Sequence, residues 1–417
     1  MARTVHIIGA GLAGLAAATR LAKSPMRIVV HEATDQPGGR CRSYFDRTIG
    51  MTIDNGNHLV LSGNHAVRGF VETIGSAAEL VGPASAEFPF VDLATGERWT
   101  LRIGDGRVPW WIFDESRRVP GTRAGDYLRL VRLLLPGADR RIGEAMDCSG
   151  TLYQRLLQPL LLAALNIEPP QGSLALARAV VRETLAAGGS ACRPLIARDG
   201  LGPTFIEPAL KYLAAHNVAV RLKHELRATK TSAGRIAELD FGDEIVTLDD
   251  GDAAVLAVPP YAAAALLPGL TVPTTFRAIV NAHFRVEVPP SCPPMIGVVN
   301  GTVEWIFAFA GRLSVTISGA DRLLDVPRAE LAQRIWNDVS AVTGVKGELP
   351  PWQIVRERRA TFAATPEENA RRPGAVTQWS NLALAGDWTA TGLPATLESA
   401  IRSGNRAAEV VETMKAA

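Results

Sequence analysis

Three glycines with the spacing Gly9-x-Gly11-x-x-Gly14 carry the first chemistry in this chain. Gly9 permits a tight turn and Gly11 lets the backbone approach a pyrophosphate. Gly14 lets the helix that follows close on a sheet. Within that turn the backbone of Ala10, Leu12 and Ala13 offers N–H groups at a helix start, where the dipole favours phosphate charge. Glu32, 18 residues beyond Gly14, could accept hydrogen bonds from both ribose hydroxyls and would repel a 2′-phosphate. Gly38-Gly39-Arg40 adds free N–H groups and a guanidinium suited to a diphosphate. Read blandly, the same three residues are a surface turn with a solvated arginine. Near the other end, an apolar strand runs into Gly386-Asp387, and a helix begins at Thr396-Leu397. That helix start suits the electron-rich N1/C2=O edge of a reduced flavin, with Asp387 bonded to the ribityl or diphosphate region. The bland alternative is an ordinary strand–helix unit whose Asp caps the helix. Taken together, the two ends describe an FAD site better than an NAD site.

These residues need a scaffold, and the apolar pattern supplies one. Thr4 to Ile8 and Arg27 to His31 read as buried parallel strands flanking a helix from Leu15 to Ala22. Further on, Phe205 to Ala215 reads as an amphipathic helix. Val218 to Leu222, Glu225 to Thr229 and Ala253 to Pro260 read as strands. In the last helix Leu397, Ala400, Ile401, Gly404, Ala408 and Val411 share one face. The expected fold is therefore α/β: a Rossmann-like FAD-binding domain (1–75, 195–262 and 376–417) interleaved with an α+β substrate domain (76–194 and 263–375).

Composition narrows the function. The chain has 417 residues, 47% of them hydrophobic, and its 44 Lys and Arg nearly cancel 42 Asp and Glu. A net charge of +2 gives no support to a nucleic-acid partner. Cys41, Cys148, Cys192 and Cys292 are scattered with no CxxC pair, which argues against a disulfide framework, a zinc site or a dithiol redox centre. His58 and His65 stand seven residues apart without acidic partners, a poor metal-ligand set. The longest apolar run, Ala253 to Leu267, is broken by Pro259 and Pro260 and falls short of the roughly 18–20 residues of a spanning helix. The expectation is a cytoplasmic protein with no metal.

The glycine turn, Glu32, Gly38-Gly39-Arg40 and Ala385-Gly386-Asp387-Trp388 resemble the FAD-dependent amine oxidase and phytoene desaturase superfamily along nearly the whole chain. Asp54-Asn55-Gly56-Asn57-His58, Leu160 to Asn166, Arg359 to Pro366 and Gly392 to Glu398 resemble, more narrowly, the hydroxysqualene dehydroxylases. The resemblance implies reductive removal of a hydroxyl from hydroxysqualene, with FADH2 as hydride donor, in squalene and hopanoid biosynthesis. Non-covalent FAD is expected, because no Cys stands near Gly386-Asp387. The expected cofactor contacts add Asn57, His58 and Leu226 to the residues above. His58 is the first candidate for the general acid, since its intrinsic pKa suits proton transfer near neutrality, and Asp54 is the second. The alternative makes Asp54 a turn anchor and His58 a flavin-positioning group. Trp305, Phe307, Phe309 and Phe362 are the candidate walls of an apolar cavity, against plain core packing. The run from Glu304 to Phe309 stays apolar where the family strand often turns polar, which implies a greasier wall.

A long apolar isoprenoid substrate implies work at a bilayer. Trp110-Trp111-Ile112-Phe113, Arg117-Arg118 and a short helix from Tyr127 to Leu135 mix aromatic and basic residues as interfacial segments do. Residues 107–135 are thus expected either to dock peripherally on the cytoplasmic membrane face or to form a lid or core element of the substrate domain. Association with squalene-synthase-like enzymes of the same pathway is a further expected partnership. The competing functions are a carotenoid-type desaturase, a flavin amine oxidase lacking the usual Lys in 352–366, and a non-catalytic FAD-binding partner of isoprenoid enzymes.

Overall fold

The computed structural model describes residues 3–414. Five short parallel strands make the central sheet, in the spatial order Ala219–Arg221, Arg27–His31, Thr4–Ile8, Ala253–Leu256, Leu382–Leu384. The inner strands are apolar on both faces, as a parallel sheet covered on both sides requires: Val5, Ile7, Val255 and Leu384 are fully buried. The strands come from three stretches of chain separated by well over 100 residues, so this sheet closes only when both ends of the protein meet.

One helix, Leu12–Leu21, leaves the glycine turn and is buried almost throughout. It lies against the last helix, Leu397–Thr413, with little room between them. A Cβ added at Gly404 would sit 2.2 Å from the Ala13 carbonyl oxygen, and one at Gly14 would sit 1.9 Å from the Gly9 carbonyl oxygen. Small residues here are a packing requirement, since any side chain forces the helix off the sheet.

A second sheet has seven strands, ordered Trp352–Phe362, Phe276–Arg285, Arg312–Ile317, Trp305–Phe309, Met295–Val299, Ala86–Asp92, Arg98–Ile103. One face packs on the helix Arg328–Thr343 through Val280, Ile306, Val315 and Trp336. The opposite face carries Phe90, Trp99, Trp305 and Phe307 into an aromatic cluster with Trp111 and Tyr127.

Two sequence expectations shift locally. Glu225 to Arg227 is irregular, and the strand begins only at Ala228, because the preceding turn is spent bonding His224 N–H to the Glu32 carbonyl. The helix expected from Phe205 starts with wide turns at Gly202–Ile206 and becomes regular at Glu207–Ala215. Pro208 has no N–H to give the Thr204 carbonyl, and the Ser76 hydroxyl bonds that oxygen at 2.7 Å instead.

The tight helix contact makes a direct prediction. Gly404→Val should destabilise the fold by about 2–3 kcal/mol through overpacking, measured as a lowered urea midpoint. Ser403→Ala, one residue away, should cost about 1–3 kcal/mol by leaving Gly386 N–H and the Thr389 hydroxyl without their shared partner.

Candidate cofactor and substrate site

At the glycine turn, Gly9 adopts φ +105° and donates its N–H to the His31 carbonyl at 2.7 Å. A Cβ there would meet the Ala257 carbonyl oxygen at 2.5 Å, so this glycine serves the protein's own packing. Gly11 is different: a Cβ would meet nothing within 4 Å. It faces Gly38 across an isolated parallel bridge, Gly38 N–H bonds the Ala10 carbonyl at 2.8 Å, and no side chain caps the helix that starts beyond it. Open space, two backbones drawn together and an uncapped helix N-terminus are what a diphosphate needs, so these residues fit FAD. Glu32 accepts from Ala10 N–H at 2.9 Å and from the Thr34 N–H and hydroxyl at 3.0 and 2.8 Å. Its carboxylate still has capacity for a ribose hydroxyl.

Behind Glu32 lies a chain of buried histidines that sequence reasoning missed. His6 Nδ1 is 3.0 Å from His31 Nε2, and His31 Nδ1 is 2.9 Å from His224 Nδ1. Burial pushes His31 down to about 3, so it stays neutral and the rings must alternate donor and acceptor. A strand-end His in an apolar run was the visible signal; its partner 193 residues away was not.

Arg40 Nη2 bonds Asp387 Oδ1 at 2.7 Å, and Arg40 Nη1 bonds the Ala360 carbonyl. Asp387 holds the Arg40 guanidinium above its usual pKa. Gly386 lies under the Trp388 indole, where a Cβ would be 2.4 Å from Nε1. Thr396 caps the last helix by accepting Ser399 N–H at 3.1 Å, and Leu397 packs into the core beside it. Glu398 caps the neighbouring helix His65–Thr73 by accepting the Ala66 and Val67 N–H groups. Leu226 sits in an apolar cluster with Ile8 and Leu256 below the sheet's end.

Asp54 is buried and fully engaged. It accepts from the Ser43 hydroxyl at 2.6 Å and Leu201 N–H at 2.8 Å, and lies 3.7 Å from Arg312. That is the geometry of an anchor. His58 is half-buried and senses Asp54, Arg40 and Asp387, so the loop at 54–58 lies beside the ion pair. Desolvation pushes its imidazole down to about 4. Near neutrality it is uncharged and cannot act as a ready imidazolium acid. Asn57 Nδ2 reaches Thr316 Oγ1 at 3.2 Å, and its buried Oδ1 has no partner.

Thr316 belongs to a row that crosses the second sheet: Asn281, Thr316, Trp305, Gly297, Phe90, Trp99. The row is polar beside Asn57 and aromatic away from it. Gly297 makes room for the Phe90 ring, which a Cβ would approach to 2.3 Å. Of the four expected wall residues, the structure brings Trp305 and Phe307 together in this aromatic cluster, with Phe309 at its margin under Arg312. Phe362 stands apart, buried in another cluster with the Arg372 guanidinium 4.8 Å over its ring.

Glu304, which opens the strand before Trp305, is a further residue of chemical interest. Its Oε2 accepts Ser318 N–H at 2.8 Å, while its buried Oε1 has no partner. Desolvation pushes the carboxyl from the ordinary 4.5 up to about 7. The signal in the sequence was a lone acid at the head of an apolar strand.

Along nearly its whole length the chain is similar to known flavoproteins. The family model for flavin containing amine oxidoreductase matches residues 12–412. A hydroxysqualene dehydroxylase of Rhodopseudomonas palustris is 60% identical over 412 residues, 99% of each chain. One from Sinorhizobium fredii is 60% identical over 410 residues, 98% of each. A solved putrescine oxidase variant superposes with a TM-score of 0.70 at 18% identity over 100% of both chains.

Two outcomes follow from the site. Gly11→Ala should leave the urea midpoint of FAD-free protein unchanged while weakening FAD at least ~10-fold, read by fluorescence titration, because the added methyl enters only the ligand's space. For Glu304, the unfolded carboxyl ionises first as pH rises, so stability declines from about pH 4.5 to about 7 and then levels. Glu304→Gln lacks this loss, and its urea midpoint should gain on the parent between pH 5 and 8, by at most about 3 kcal/mol.

Proposed function

Because the chain belongs to the flavin containing amine oxidoreductase family, and within it to the hydroxysqualene dehydroxylases, we propose that it removes the hydroxyl of hydroxysqualene to give squalene. The observation that carries this reading is 60% identity to named hydroxysqualene dehydroxylases along essentially the whole chain. Relatives 45–60% identical along nearly the whole chain are named for dehydroxylation, which favours this reading over the desaturase and amine oxidase ones. The protein is an FAD-dependent oxidoreductase, and the reduced flavin supplies the hydride that replaces the departing oxygen.

The chain's own residues have four tasks. The Gly9–Gly14 turn, Glu32, Gly38, Gly39 and Arg40 would hold the dinucleotide, and Asp387 and the helix start at Thr396 and Leu397 would border its flavin end. Asn57 and His58 position the ring from the loop that bonds Thr316. Hydroxide leaves poorly, so the oxygen must gain a proton as the allylic C–O bond breaks. Asp54 is occupied as an anchor, and Glu304, though it keeps its proton up to about pH 7, stands on the pleat face of Val298 and Ile306, against the helix Arg328–Thr343 and away from the Trp305–Phe307 wall. His58, which stands beside the Arg40–Asp387 pair, is the remaining donor; it is uncharged near neutrality, so it takes up a proton before it gives one. Trp305, Phe307 and Phe90 exclude the water that would capture a delocalised cation. The Trp305 and Trp99 indole N–H groups have no protein partner, which suits a ligand carrying a hydroxyl. An uncharged, greasy substrate also argues for a reaction at a membrane surface.

Anaerobically reduced holoprotein mixed with hydroxysqualene should reoxidise as squalene forms in equal amount. Reoxidation without squalene removes the assigned reaction. His58→Ala should keep its FAD and lose at least ~100-fold in the chemical step. Full turnover in that variant assigns His58 to structure alone.

A further inference from the structure

Six of the large apolar side chains that this fold leaves exposed lie within 28 residues: Val108, Trp110, Phe113, Leu128, Val131 and Leu135. Trp110 is 72%, Leu128 69% and Phe113 65% exposed. Scattered singly, such residues would mean nothing, but here they cluster on two adjoining elements. Trp110 and Phe113 lie 6.1 Å apart on one short turn. Leu128, Val131 and Leu135 follow helical spacing along the outer side of Leu128–Leu134, while Leu133 on its inner side is fully buried.

Charge identifies what covers this surface. Residues 107–135 hold six arginines against three acids, a net +3, more than the +2 of the entire chain. Arg107, Arg123, Arg129 and Arg132 are exposed among the apolar residues. Large apolar side chains interleaved with arginine suit the headgroup region of an anionic bilayer, where the rings insert and the guanidinium groups meet phosphate.

The inner side of the same segment faces elsewhere. Trp111 and Tyr127 meet edge to face at 5.4 Å and join Trp305, Phe307, Phe90 and Trp99 in one buried cluster. Beside them a cavity of about 500 Å³ opens between the segment and the sheet, with Arg98, Arg102, Glu115 and Arg118 at charged positions and Phe90, Trp99 and Pro120 at apolar ones. We infer that residues 107–135 form a membrane-seated portal, whose outer face enters an anionic lipid surface and whose inner face admits an apolar chain to the aromatic wall. This rests on the isoprenoid reading for its cargo, though the lipid-binding half stands without it. Docking and lid are two faces of one segment.

The test uses FAD-loaded protein and phosphatidylcholine vesicles with about a third phosphatidylglycerol. The parent should float with these vesicles, and high salt or pure phosphatidylcholine should release most of it. The combined variant Trp110→Ser, Phe113→Ser, Leu128→Ser, Val131→Ser should lose at least ~10-fold in flotation with its FAD content unchanged. Its turnover of vesicle-embedded hydroxysqualene should fall at least ~10-fold, while turnover of detergent-dispersed hydroxysqualene stays within about twofold. The portal is overturned if the parent does not float, if the variant floats equally, if both forms of substrate slow alike, or if the patch instead pairs two copies of the chain in solution. A parent that floats but converts no hydroxysqualene in either form upholds the lipid surface and removes the reaction instead.

Discussion

An ion pair between Arg40 and Asp387 joins positions 347 residues apart, and the arrangement of the site depends on it. Asp387 is nearly buried, and a carboxylate in that setting needs a cation or it forces the chain open. Arg40 answers that need and also bonds the Ala360 carbonyl, so one side chain joins the glycine-rich start, the end of the long strand Trp352–Phe362 and the C-terminal strand–helix unit. The other side of the Asp387 loop is fixed by Arg372, whose guanidinium bonds the carbonyls of Asp387, Trp388 and Thr389. With both ends pinned, the helix from Leu397 can press on the helix from Leu12 at the contact that Gly404 permits.

What the sequence made legible was local. The Gly9–Gly14 turn, the flanking apolar strands and the helix face from Leu397 to Val411 are set by backbone needs and by periodicity within a few turns of chain. The interleaving followed from finding related motifs at both ends. The fold of the flavin containing amine oxidoreductases was therefore readable in advance. What stayed hidden were partners distant in sequence. Phe362 was expected in the cavity wall, and no strand or helix period announced that the chain folds the Arg372 guanidinium back over its face. Asp54 looked free for chemistry until Ser43, Leu201 and Arg312 were seen to hold it. His58 had a suitable intrinsic pKa, but desolvation, which no spacing encodes, lowers it.

The row from Asn281 to Trp99 shows how one sheet serves two opposed requirements. Beside the loop at 54–58 it offers amide and hydroxyl groups that fix Asn57, and further along it offers only rings. A cofactor needs the first, because orientation requires directional bonds. A cation that must not meet water needs the second. Register does this without any special motif: the pairing of Thr316 with Trp305 sets polar and aromatic residues on one face in adjacent strands.

The opening charge balance acquires a different sense in this light. A chain-wide value of +2 describes the average surface, and it excluded a nucleic-acid reader. The average conceals a 29-residue stretch whose positive charge exceeds that of the whole, offset by an acidic surplus elsewhere. The same averaging hides the aromatics: 6% is a low proportion, yet Phe90, Trp99, Trp111, Tyr127, Trp305 and Phe307 fall into one cluster under that stretch. A site that excludes water and still admits a long apolar chain needs a wall that is greasy on both sides, wet on neither when seated in lipid. A segment with exposed apolar residues outside and a ring cluster inside would meet that need in a bilayer, because both of its faces would then lie out of water.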